Sequence, residues 1–110
     1  MKEVFSIFTK DLKHCFISGN PHVHLHHIFE GERNRSKCEE DGYLIPLKYD
    51  LHEFSSFSAH VDKNFNNQLK VLCQEHWIST GKTREQFIAK YGQWWSFDGP
   101  RPAWMNKVKF

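Results

Sequence analysis

Six of the chain's eight histidines fall between residues 22 and 60: His22, His24, His26, His27, His52 and His60. A lone histidine is usually a surface or packing residue, because its two ring nitrogens are satisfied by one donor and one acceptor contact. A cluster of this density has another use. Neutral imidazole suits a borderline metal such as Zn2+, and it accepts Mn2+ or Mg2+ when substrate oxygens complete the shell. A further imidazole kept off the metal titrates near pH 6.5 and can take a proton from water at neutral pH. Such a set would hold a divalent metal against a phosphodiester, offsetting charge on a non-bridging oxygen and on the leaving 3′ oxygen.

The elements that must position these rings can be read on either side of them. Val23 and Leu25 alternate with His22, His24 and His26, which is the period of a half-buried strand over residues 22–29. One strand face then carries apolar side chains and the other imidazoles. His26 and His27 close the strand and point to opposite sides if it stays regular. Residues 30–42 read EGERNRSKCEEDG, a charged connection long enough to be a functional loop. Within it Arg33, Arg35 and Lys37 alternate with Glu30, Glu32, Glu39 and Glu40. Beside a metal these cations would clamp phosphate, and away from one they are a self-compensating solvated surface. Residues 43–47 form a second strand, which Pro46 restricts to an edge or a strand end. His52 follows it closely, and His60 stands just ahead of a helix.

That helix spans 62–80 on the spacing of Phe65, Leu69, Leu72 and His76 or Trp77, with Gly81 as its stop. Thr83 and Gln86 form a capping box that opens a shorter helix bearing Phe87, Ile88 and Tyr91, ended by Gly92. The aromatic spacing on both helices is that of core residues. Residues 93–110 contain Trp94, Trp95 and Trp104 and no acidic residue after Asp98, and are expected to dock on the domain or meet a partner. Ahead of the first strand, residues 1–14 read as a short strand or packing arm, and residues 18–21 as a turn. Lys63, Lys70, Lys82, Arg84, Arg101, Lys107 and Lys109 add positive charge along the second half.

Composition sets outer limits. A chain of 110 residues with 39% hydrophobic and 15% aromatic content supports one ordered domain, 1–110, with a modest core. No apolar run approaches the roughly 20 residues that cross a bilayer, and residues 1–15 lack the pattern of a signal peptide. Three cysteines, Cys15, Cys38 and Cys73, are an odd number with no C-x-x-C pair, since Ser18 follows Cys15 at that spacing. This points to packing cysteines in a reducing, cytoplasmic compartment and argues against a structural or storage zinc domain. The formal charge of +2 predicts modest, salt-sensitive affinity for a polyanion with little base readout.

The order CFISG…LHHIFEG…NR…DGYLIPL…DLH…H resembles the small phage-encoded members of the HNH, or His-Me finger, nuclease superfamily, from about residue 15 to 92. The resemblance implies an α+β fold, with a two-stranded ββα-metal core over about 15–92, an additional C-terminal helix and a tail at 93–110. It implies a metal-dependent DNA endonuclease that nicks or cleaves phosphodiester bonds with Mg2+ or Mn2+, Zn2+ being possible. His27 would be the general base that activates water. His26, His52 and His60 would hold the metal, and Arg33, Arg35 and Lys37 would meet DNA. Its place would be the cytoplasm of a bacterium carrying the phage or prophage, in DNA processing or recombination. Two positions depart from the family pattern: Glu53 stands where Asn often follows the histidine, and Ser18 replaces the second cysteine of a zinc knuckle. These departures keep open an alternative, a catalytically degenerate member acting as a phage inhibitor or recombination accessory through DNA or a host protein.

Overall fold

The computed structural model describes residues 4–48 and 63–108, so His52, Glu53 and His60 lie outside the described residues. Among the described residues the fold is α+β, with a two-stranded antiparallel sheet and three α-helices. Strand β1 is Val23–His27, helix α1 Glu32–Asp41, strand β2 Leu44–Lys48, helix α2 Lys63–Ser79 and helix α3 Arg84–Tyr91, followed by a 3-10 turn at Ala103–Lys107. Two compact units divide the chain, Met1–Asp62 and Lys63–Phe110. Among the described residues no helix is long and apolar enough to cross a membrane.

In the first unit, β1 and β2 pair with His26 opposite Ile45 and His27 opposite Leu44. Leu44, Ile45 and Leu47 are all fully buried, so β2 is covered on both faces. Its outer edge is closed by the N-terminal arm. Ile7 donates its N–H to the Gly42 carbonyl at 2.9 Å, Phe16 donates to the Pro46 carbonyl at 2.9 Å, and the Ser6 hydroxyl donates to the Leu44 carbonyl. Pro46 is tolerated because it lends only its carbonyl on that side.

Residues 30–42 are not the loop that their charge suggested. Residues 32–41 are helical, with Gly31 at the entrance and Gly42 in the left-handed conformation at the exit. Glu, Arg and Lys are good helix formers, and the flanking glycines supply the start and the stop. Only Cys38 on this helix is buried, so no apolar period existed to reveal it.

The imidazole face of β1 also departs from expectation. Alternation holds, but His26 is the buried residue of the strand at 1% exposure, while Val23 and Leu25 are only half-buried. His26 lies opposite the fully buried Ile45, and His27 opposite the equally buried Leu44.

In the second unit, α2 buries Asn66, Leu69, Leu72, Cys73 and Trp77 in a stripe of helical period. The Thr83 box forms as expected: Gln86 donates its N–H to Thr83 Oγ1 at 3.2 Å, and Thr83 donates its N–H to Gln86 Oε1 at 2.8 Å. The tail docks on α2. Gln74 Nε2 donates to the Trp95 carbonyl at 3.0 Å and Gln74 Oε1 accepts the Trp95 N–H at 2.7 Å. Asn64 makes the same reciprocal pair with Asp98, at 3.0 and 2.7 Å. Each amide side chain replaces a peptide neighbour, satisfying backbone groups that the irregular tail leaves open.

Candidate functional site

The doublet at the end of β1 opens on a cleft of about 440 Å³, whose lining includes His24, His26, His27, Glu30, Glu32 and Arg35. Immediately after the doublet, Ile28 and Phe29 are buried and anchor the strand end, with Ile28 N–H bonded to the Tyr43 carbonyl at 3.1 Å. The chain then turns through Gly31 into α1. Asn34 closes this corner from within the helix, its side-chain amide donating to the Glu30 carbonyl at 2.9 Å. Its own N–H meets the Gly31 carbonyl at 3.0 Å. The corner fixes where α1 lies against the strand and therefore which helix residues reach the doublet.

His27 is the half-buried member of the doublet. Its Nε2 lies 3.2 Å from Glu39 Oε1 on α1, with side-chain exposures of 18% and 32%. A carboxylate at that nitrogen fixes the ring and selects its tautomer: when Nε2–H is donated to Glu39, the lone pair resides on Nδ1. His26 presents its ring to the same cleft from a buried position.

Helical geometry separates the three cations expected to bind phosphate. Arg33 and Lys37 are one turn apart and share a face, whereas Arg35 lies with Glu32 and Glu39 on the face toward the cleft. Of the three, only Arg35 lines it. Glu39 and Asn34 are the residues that sequence reasoning did not place. A turn-spacing signal existed for Glu39, four residues after Arg35, but it has meaning only once the segment is known to be a helix.

Of the expected metal holders, His26 is at the cleft, while His52 and His60 lie outside the described residues. Among the described residues, no three His, Cys, Asp or Glu side chains converge into a metal-binding group. The donor types at the cleft, imidazole with Glu30 and Glu32, are those that Mg2+, Mn2+ or Zn2+ accept.

The cysteines occupy contrasting environments, and all three are free and buried. The Cys38 thiol donates to the Phe29 carbonyl at 3.6 Å, and burial pushes its pKa from the ordinary 9.0 up to about 11. Burial acts in the same direction on Cys15, but hydrogen bonds from Ser18 and from the Lys48 and Ile17 amides outweigh it and hold that thiol below its usual value. Ser18 thus completes a thiol-binding turn, donating its N–H to Cys15 Sγ at 3.4 Å. Comparison of the chain with family models, with curated proteins and with solved structures returns no match.

Proposed function

We propose that the chain is a metal-dependent DNA endonuclease of the HNH type, with His27 as its general base. The observation that carries this reading is the His27–Glu39 pair at 3.2 Å, at the edge of a cleft that Arg35 also lines. An imidazole held by a carboxylate at one nitrogen, with its lone pair on the other, is suited to taking a proton from water. Arg35 is suited to holding a phosphate bidentately beside it. His26, His52 and His60 would hold the divalent metal, Mg2+ or Mn2+ for activity. When bound, it would supply charge stabilisation at the phosphate and the leaving oxygen. Glu39 is a positioning residue that acts through His27.

The test is nicking of supercoiled plasmid with Mg2+ or Mn2+ supplied. His27→Ala is expected to keep the fold and lose cleavage by about a hundredfold or more, the usual contribution of a general base. Glu39→Ala should lower kcat by at least about tenfold with KM unchanged, because it disturbs the base and leaves the phosphate contacts in place. Cleavage that survives His27→Ala overturns the base assignment. A parent protein that nicks nothing across a series of divalent metals, while forming a defined complex, is the binding protein of the alternative reading.

A further inference from the structure

The charge of the chain is strongly divided. Residues 1–62 carry seven Lys and Arg against ten Asp and Glu, a formal −3, whereas residues 63–110 carry eight against three, a formal +5. The basic unit also has a cleft of about 470 Å³ whose walls include Val71 and Ile78 from α2 and Trp94, Trp95 and Phe97 from the tail. Ile78 is 45% exposed at this cleft, and both tryptophans are half-buried.

These rings are held in place. Phe87 packs edge-to-face with Trp94 at 5.4 Å and with Trp95 at 6.3 Å, and the Gln74 pair fixes the backbone at Trp95. Cations sit on the same two rings: Lys70 Nζ is 4.7 Å from the Trp95 centroid, and the Arg84 guanidinium is 5.2 Å from that of Trp94. Glu75, the carboxylate among the described residues that line the cleft, is neutralised by a bidentate pair with Arg101 at 2.9 Å for both bonds.

We infer that this cleft binds single-stranded DNA, with unpaired bases against Trp94 and Trp95 and the backbone toward Lys70 and Arg84. Fixed aromatic rings bearing cations, on a unit of net positive charge, match a polyanion that offers flat π-faces. A duplex offers the charge but hides its base faces, and an acidic peptide offers the charge without them. The choice of DNA as the polymer rests on the nuclease reading, while the stacking and charge argument stands apart from it.

The experiment uses the full chain in EDTA and a labelled oligothymidylate, read by tryptophan quenching and by anisotropy. The oligonucleotide should quench tryptophan emission. Trp95→Ala should weaken binding about tenfold, and Trp95→Phe, which keeps a ring, should stay near the parent. Lys70→Gln should reduce the slope of log affinity against log salt by about 1, and it provides the test if Trp95→Ala does not fold. Equal affinity for a duplex of the same length, unchanged binding in Trp95→Ala, or equal competition by polyglutamate would overturn the inference. Preference for oligouridylate would overturn the assignment to DNA. Because EDTA removes cleavage from the binding measurement, oligonucleotide binding by a protein that fails to nick plasmid with Mg2+ or Mn2+ supplied counts against the nuclease reading alone. Nicking without oligonucleotide binding counts against the cleft alone.

Discussion

His26 and His27 are chemically identical neighbours that one peptide bond places in different surroundings. His26 is 1% exposed and lies opposite Ile45, while His27, on the other face of the strand, meets Glu39. Their difference comes from the strand's period of two, not from the residue type. The cysteines give the same lesson, and a measurable one. Cys38 is held neutral by burial, with a folded pKa of about 11 against an ordinary 9.0. A raised folded value means that the neutral thiol's contribution is fully present below pH 9 and is lost as pH rises toward and through 11. A shift of that size corresponds to about 2 to 3 kcal/mol. Urea unfolding at pH 8 and at pH 11 should therefore show a loss of stability that is smaller in Cys38→Ala than in the parent. An equal loss in both would show that the thiol does not titrate in this window.

At the scale of elements, helix ends decide what the helices can position. Gly42 ends α1 at φ 76°, and Tyr43 returns its N–H to the Cys38 carbonyl at 2.9 Å. A Cβ at Gly42 would also run into the Phe5 ring of the arm that closes β2. Gly42→Ala should thus combine left-handed strain of roughly 1–2 kcal/mol with displacement of Phe5. Thr83→Ala removes only a cap, worth about 1 kcal/mol. Denaturant titrations should rank Gly42→Ala as the more damaging of the two, and the reverse order would mean that the arm yields without cost. The Asn34 corner and the Gln74 and Asn64 pairs share one principle, in which a side-chain amide satisfies backbone that regular structure leaves open.

For the whole molecule, the near-neutral total conceals a unit of −3 and a unit of +5. A formal charge of +2 therefore understates the attraction that the second unit alone offers a polyanion. The cohesion of the chain does not depend on oxidation, since Cys15, Cys38 and Cys73 are all buried and free. Thermal unfolding with and without reductant should give the same Tm. A lower Tm in reductant would reveal a disulfide that this arrangement does not contain.

Where local rules dominate, the sequence was sufficient. The Thr83–Gln86 box, the stops at Gly81 and Gly92 and Leu69, Leu72 and Trp77 of the α2 stripe depend on neighbours within a few residues and are found where the spacing predicts, whereas Asn66 rather than Phe65 is buried at the start of the stripe. Segment 32–41 was hidden because a helix with a single buried residue has no apolar period to display. Pairing decided the rest. The sequence could name the histidine doublet, but only the tertiary fold buried His26 and brought Glu39 of α1 to His27. Only the fold of the tail onto α2 placed Trp94 and Trp95 beside Lys70 and Arg84. Residue type and local spacing were written in the sequence; side-chain company was settled by contacts between distant segments, which no local period encodes.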